Sequence, residues 1–358
     1  MSFDPGQPLS DSFRGAVSAV LTTFLDQQQA LVDQVGPEVR PLLDQARRLL
    51  GGGKRFRPAF CYWGYVAVTG QPEPYEPVLA AAASLDLLHV SALVHDDLID
   101  GSDTRRGAPA AHLLNAELHR QAGWRGSSQQ FGQAGATLLG DLLLVWSAQL
   151  WGGCGLSPDV LQRARPALDA VRAEVMLGQY LDIVAQHAEV SLERSQRVNE
   201  FKSARYTVAR PAQLGALLAG AEPGLVEALG RFGSPLGRAF QLRDDLLGVY
   251  GDMSLTGKPA GDDLREGKRT VLVAYAMEQA TPAAAARLAR LLGDPDLDLD
   301  GVDEARQIIT ETGAVQRVEA EIAADHAAAL AALAEARLHP EARTALETLG
   351  RLAVRRDT

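Results

Sequence analysis

Val, Ile and aromatic residues in strict alternation with polar ones are nearly absent from this chain. Ala, Leu, Arg, Glu and Gln fill the stretches between breaks instead, a composition that favours helix over strand. The pattern predicts helices over 10–35, 38–50, 57–68, 75–99, 110–121, 134–150, 158–187 and 192–204. Further helices are expected over 209–219, 224–250, 268–279, 282–292, 302–312, 315–336 and 341–354. Gly and Pro punctuate them: GGGK at Gly51, TGQPEP at Thr69, GDMSLTGKPAGDD at Gly251 and GDPDLDLDG at Gly293. The stretch Gln121–Gln133 reads as a surface loop. No solenoid repeat and no long linker divides the chain, so the expectation is one all-α domain over residues 1–358.

Composition narrows the function. The 358 residues are 46% hydrophobic with a net charge of −10. No basic run is long enough for an extended nucleic-acid footprint. Cys61 and Cys154 alone give no disulfide framework, and a reducing cytoplasm fits them. The N-terminal segment lacks a charged-then-apolar signal pattern. Asp86 and His89, or Asp141, interrupt the apolar stretches within the length a bilayer span requires. A soluble protein is therefore expected.

The chemistry concentrates at ALVHDDLIDGSDTRRG, which begins at Ala92. Asp96, Asp97 and Asp100 close an apolar helical run, and i,i+3 and i,i+4 spacing brings them together. The C-terminal end of a helix carries negative dipole charge, so three acids there require cations. Oxygen ligands suit Mg²⁺, which keeps waters and shares its coordination with phosphates. A surface turn with Asp103 and the arginines pairing locally is the alternative. A second acid pair, Asp244 and Asp245, lies in FQLRDDLLGVYGD within another apolar helical pattern; an amphipathic helix with two solvated acids is its alternative. Two such pairs would hold several Mg²⁺ ions around one diphosphate. GGGKRFRP places Lys54, Arg55 and Arg57 at a helix entry, where free N–H groups and the dipole favour phosphate. A solvated basic turn is the competing interpretation. Lys202, Lys258 and Lys268 can add positive charge.

Taken together, these residues resemble the trans-isoprenyl diphosphate synthases, or polyprenyl synthetases. GKRFRP, LLHVSALVHDD, LLGDLLL, GQYLD, KSARYT, FQLRDD and GKPAGDDLREGKRT match in that family between about Gly52 and Thr270. The resemblance implies antiparallel helices around a deep central cavity, usually in a homodimer. It implies head-to-tail condensation of an allylic diphosphate with isopentenyl diphosphate. By that resemblance Asp96, Asp97, Asp100 and Asp244 would bind Mg²⁺ and the allylic diphosphate, with Asp245 supporting them. Arg105, Lys202, Gln241 and Lys258 would contact the same diphosphate. Lys54, Arg57, His89 and Arg106 would hold isopentenyl diphosphate. Lys202, Thr207 and Gln241 would lie near the developing cation. A lone His in an apolar run is otherwise a core residue.

Three departures stand out: Gly248 in place of the second motif's third Asp, Asp86 in place of Glu, and Ser203 in place of Thr. The product tail is expected to run back along the helix from Asp96, one isoprene unit per turn of about 5.4 Å. Ser91 and Ala92 are small at the level an aromatic blocks in farnesyl-making relatives. Leu87 and Leu88, with Trp146 or Trp151, would form the next floor, or else simply pack the core. Geranylgeranyl diphosphate is the expected product, with farnesyl or longer chains as alternatives. A terpene cyclase and a silent partner subunit are the rival functions. The Lys54, Arg57, His89 and Arg106 set argues against the first, and the intact acids argue against the second.

Overall fold

The computed structural model describes residues 2–251, 261–294 and 296–355. Its described residues form two compact units. The first comprises the chain up to Pro166 together with Pro211–Glu222 and Leu338–Leu349; the second comprises Ala167–Arg210, Pro223–Arg337 and the stretch from Gly350.

The first unit opens with α1 (Asp11–Val35), whose cap Ser10 accepts a bond from the Phe13 amide. Phe13, Val17, Leu21 and Phe24 bury one helical stripe. A short 3₁₀ turn leads into α2 (Arg40–Leu50), α3 (Phe56–Thr69) and α4 (Glu76–Asp100). The most apolar 18-residue window of α4 has a mean hydropathy of 1.7, yet 72% of it is buried within the protein, as in a core helix. After α4 the chain makes a hairpin the pattern did not predict, pairing β1 (Thr104–Arg105) with β2 (Ala108–Pro109). Arg106 and Gly107 turn it, both at positive φ (55° and 72°), as a tight two-residue hairpin requires.

Next come α5 (Ala111–Gln121) and α6 (Ser128–Gly152). The loop expected over 121–133 is therefore shorter than predicted. Ser127 caps α6 by accepting from the Gln130 amide, and Trp124 and Phe131 pack edge-on, both against His119. The Gly-rich composition concealed this helix start. α4 and α6 run antiparallel: Ser91 Oγ donates to Gly140 O at 2.7 Å, and Ser147 Oγ donates to Ser84 O at 2.8 Å. His95 fills the space above Gly140, where a Cβ would lie 2.2 Å from its Nε2.

α7 (Pro158–His187) begins in the first unit and continues into the second. In the second unit, α8 (Leu192–Val198) runs into a π-helix over Asn199–Ala209, where a plain α-helix ending near 204 was expected. The chain continues through α9 (Arg210–Leu218), α10 (Pro223–Tyr250), α11 (Asp262–Arg265) and α12 (Val271–Gln279). The last elements are α13 (Pro282–Leu291), α14 (Leu299–Glu311), α15 (Ala314–Glu335) and α16 (Pro340–Val354). Glycines on neighbouring helices admit the wide π turns. A Cβ would lie 2.4 Å from the Lys202 amide nitrogen at Gly178, 2.4 Å from Ala209 Cα at Gly233 and 2.3 Å from Ala204 O at Gly237. The observed all-α class matches the expectation, apart from the hairpin.

Backbone atoms oppose any side chain at Gly237, so Gly237→Ala forces the π-helix and α10 apart. Overpacking of this kind costs about 1–3 kcal/mol. Gly224, in the same helix, has nothing within 4 Å of the place a methyl group would take, and Gly224→Ala should be neutral or stabilising by up to about 1 kcal/mol. Equal urea midpoints for the two variants would refute the tight contact.

Candidate active site

Helical geometry assigns α4 three separate duties. Ser84, Leu88, Ser91 and His95 follow i, i+4, i+7 spacing and form the α6-facing stripe, fixed by the Ser91 bond and the His95–Gly140 contact. His89, Ala92 and Asp96 share another face. Asp86, Val90 and Asp97 lie on a third. Asp97 is 2% exposed, and Arg105 from β1 grips it: Nε donates at 2.9 and 3.1 Å to its two oxygens, and Nη2 donates as well. The same guanidinium reaches Asp96 Oδ2 at 3.8 Å. Arg105 thus supplies the cation that acids at a helix C-terminus need. It also engages Asp97, while Asp96 and Asp100 keep part of their surface open.

The basic residues collect around the α2–α3 loop. Lys54 is exposed and Arg57 half-buried. Arg55, between them, points inward and pairs with Asp86 at 2.7 Å. Arg106 Nη1 donates to Leu49 O at 2.5 Å and Gly52 O at 3.0 Å, tying the hairpin to the loop. Packing around His89 and the positive fields of Arg57, Arg106, Arg105 and Arg55 hold its imidazole well below the usual histidine range. Part of the residue remains open to solvent. A neutral imidazole donates one hydrogen bond and accepts another.

In the second unit, Lys202 Nζ lies 2.6 Å from Asp182 Oδ2. Thr207, further along the π-helix, is buried. On α10, Gly233, Gly237, Gln241, Asp244 and Gly248 fall close to one stripe, so the glycines that admit the π-helix lead directly to the acids. Gln241 Nε2 donates to Asp245 Oδ1 at 2.8 Å. Burial raises the Asp245 carboxyl to about 7, opposed by the Gln241 bond and reinforced by Asp263. At Gly248 a Cβ would lie 1.9 Å from Asp263 Oδ2. The Asp263 carboxylate occupies the space a third acid on α10 would need, and Lys268 lies 3.5 Å from it. Sequence reasoning missed Asp182, Asp263 and the Arg55–Asp86 pair; only the third dimension places these partners. Lys258 and Asp252 lie outside the described residues.

Among the described residues, no group of three or more His, Cys, Asp or Glu side chains is placed to hold a metal by itself. Each acid cluster, Asp96 with Asp100 in the first unit and Asp244 in the second, nonetheless offers carboxylates, the hard donors that suit a cation sharing water and phosphate oxygens. The residues expected to set product length divide between faces. Leu88 and Ser91 are fully buried on the α6-facing stripe, whereas Ala92 is partly exposed one turn before Asp96. Trp146 packs edge-on to Phe24 of α1, with ring centroids 6.4 Å apart.

Residues 40–309 match the family described as Polyprenyl synthetase. A geranylgeranyl diphosphate synthase of Methanosarcina mazei is 30% identical over 293 residues, covering 81% of this chain and 83% of the relative. A (2E,6E)-farnesyl diphosphate synthase of Mycobacterium bovis is 33% identical over 307 residues, covering 81% and 78%. The crystal structure of geranylgeranyl pyrophosphate synthase from Corynebacterium glutamicum, complexed with isoprenyl diphosphate and magnesium, superposes with a TM-score of 0.94. It is 42% identical and covers 97% of this chain and 99% of its own.

The depressed His89 gives a pH dependence of known sign. The unfolded imidazole takes up a proton below its ordinary 6.5, while the folded one resists, so stability present above that value is lost as pH falls below it. One pH unit below, the loss is at most about 1.4 kcal/mol. His89→Gln should flatten the fall in urea midpoint between pH 7.5 and 5.5 relative to wild type, and identical slopes would show that His89 does not titrate as described.

Proposed function

The chain belongs to the polyprenyl synthetase family and is a trans-prenyl diphosphate synthase, and from that premise we propose that it joins isopentenyl diphosphate to allylic diphosphates to make geranylgeranyl diphosphate. The observation that carries this reading is the α4 face on which His89, the small Ala92 and Asp96 follow one another. On that face a diphosphate held at Asp96 would have the small Ala92 beside the start of its apolar tail.

Asp96, Asp100 and Asp244 would hold Mg²⁺ with the allylic diphosphate, and Asp97 would act by fixing Arg105. When bound, the metal neutralises charge on the departing diphosphate. Arg105, Lys202 and Lys258 stabilise that leaving group with fixed positive charge. Lys54, Arg57, His89 and Arg106 hold isopentenyl diphosphate so that its double bond reaches the allylic carbon. As that bond forms, a proton leaves the adjacent carbon for the departing diphosphate. Thr207 and Gln241 offer dipoles near the cation. Ala92, rather than Ser91, sets how far the tail passes, because Ser91 is committed to Gly140. Both cysteines are buried as free thiols, which fits the cytoplasm. A homodimer is the proposed assembly, supported by Leu138 and Val145, 60% and 61% exposed and seven residues apart on α6; light scattering at twice the chain mass is expected.

The purified chain alone, with labelled isopentenyl diphosphate, each allylic starter and Mg²⁺, should yield a twenty-carbon diphosphate. Hydrocarbon release without isopentenyl diphosphate would indicate a cyclase, and inactivity without a partner would indicate a silent subunit. Asp96→Ala should lower turnover at least about 100-fold, the scale of losing one fixed electrostatic group; near-normal turnover would remove Asp96 from the site.

In the same assay Ala92→Phe should shorten the longest product to fifteen carbons. Ser91→Phe should lower the melting temperature, since no space exists beside Gly140. An unchanged product from Ala92→Phe would mean the tail runs along another wall.

A further inference from the structure

We propose that Asp86, acting through Arg55, is a positioning residue for isopentenyl diphosphate; this rests on the function proposed above. Neither side chain reaches solvent to touch a substrate: each residue is 5% exposed. Arg55 Nη1 donates to Asp86 Oδ2 at 2.7 Å, and Nη2 donates to Leu50 O at 2.6 Å and Ser18 Oγ at 3.1 Å. One guanidinium thereby joins α1, the end of α2 and the middle of α4. The backbone of Arg55 is left-handed (φ 59°), a conformation non-glycine residues rarely adopt. The buried pair holds it there. Arg55 sits directly after Lys54 and two residues before Arg57, so the conformation that turns Arg55 inward also fixes where its basic neighbours emerge.

Charge points the same way. Asp86 lies one turn before His89; burial holds its carboxyl above the ordinary aspartate range, opposed by the neighbouring Arg55 and, more weakly, by Arg57 and Arg106. Asp86 pairs directly with Arg55 and moderates Arg57 and Arg106 through its field, so it sets the positive charge that an incoming diphosphate would meet. Without that carboxylate, Arg55 is a buried cation lacking its counter-ion, a state strongly disfavoured in a protein interior. Arg55 would leave its site and release the loop. The binding pocket would then have to be ordered by the ligand, which weakens binding.

Calorimetry with isopentenyl diphosphate alone, which cannot react without an allylic partner, tests this directly. Asp86→Asn should raise its Kd at least 10-fold. In turnover the KM for isopentenyl diphosphate should rise in parallel, while kcat and the KM for the allylic diphosphate stay within about twofold. Asp86→Glu, which keeps the charge, should restore most of the affinity. Arg55→Met should match Asp86→Asn, and the double variant should be no weaker than the weaker single one, as for residues acting as a unit. If Asp86→Asn does not fold, Arg55→Lys serves instead: it keeps the charge and loses the fork, and Kd should rise several-fold in a folded protein. Unchanged binding, or both KM values rising together with a lowered melting temperature, would reduce the pair to a structural role and overturn the proposal. Wild type that binds isopentenyl diphosphate but makes no longer prenyl chain would overturn the proposed function and leave this pair standing. Wild type that binds none would overturn both.

Discussion

Three carboxylates at the C-terminal end of a buried helix meet the negative end of its dipole, and Arg105 is what makes that arrangement stable. Its guanidinium closes on Asp97 and reaches Asp96. A short hairpin aims it there, because Arg106 and Gly107 both adopt positive φ and reverse the chain at once. The next residue, Arg106, leaves the turn in the other direction and binds the carbonyls of Leu49 and Gly52. One tight turn thus distributes two guanidiniums, one to the acids of α4 and one to the loop that carries Lys54. Loss of the turn would disturb both groups together.

Close backbone approach is the second constraint. α4 and α6 meet through Ser84, Ser91, Gly140 and Ser147, with the Ser91 and Ser147 hydroxyls donating across the helices to main-chain carbonyls. Small residues there are occupied, not vacant, so a small side chain on α4 marks open space only on the face away from α6. The same economy governs the second unit, where Gly178, Gly233 and Gly237 make room for a π-helix carrying Lys202 and Thr207. π turns often sit at functional positions because they shift side chains off the α-helical register.

The helical class and most helix limits were legible because composition and breakers are local signals. α7 was expected over 158–187 and is observed at Pro158–His187. The hairpin after Asp100 was not legible: two-residue strands have no periodicity, and an Arg at positive φ gives no composition signal. The π-helix was missed because the glycines that admit it lie in other helices. Among candidate site residues, spacing brought together Asp96, Asp97 and Asp100 on one turn of α4, while their roles came from the family resemblance. Ser91 and Ala92 are adjacent, and a step of about 100° separates the one bonded to Gly140 from the one on the face of Asp96, a distinction that composition does not carry. Asp182 and Asp86 gained their partners through contacts 20 and 31 residues apart in sequence.

Gly248 shows why counting motif letters misjudges a site. Read along the chain, it is a missing acid. In space, the carboxylate of Asp263 lies where its side chain would begin. A side chain at 248 would meet the carboxylate of Asp263, the rotatable end of a side chain, which would have to turn aside. Negative charge is therefore retained beside Asp245, whose carboxyl is raised to about 7 by burial with Asp263 adding to it. Lys268, placed between Asp263 and Glu266, keeps this concentration of acid tolerable. Asp263, from the GKPAGDDLREGKRT stretch, thus brings a carboxylate to the surface of α10 at the level where residue 248 carries none.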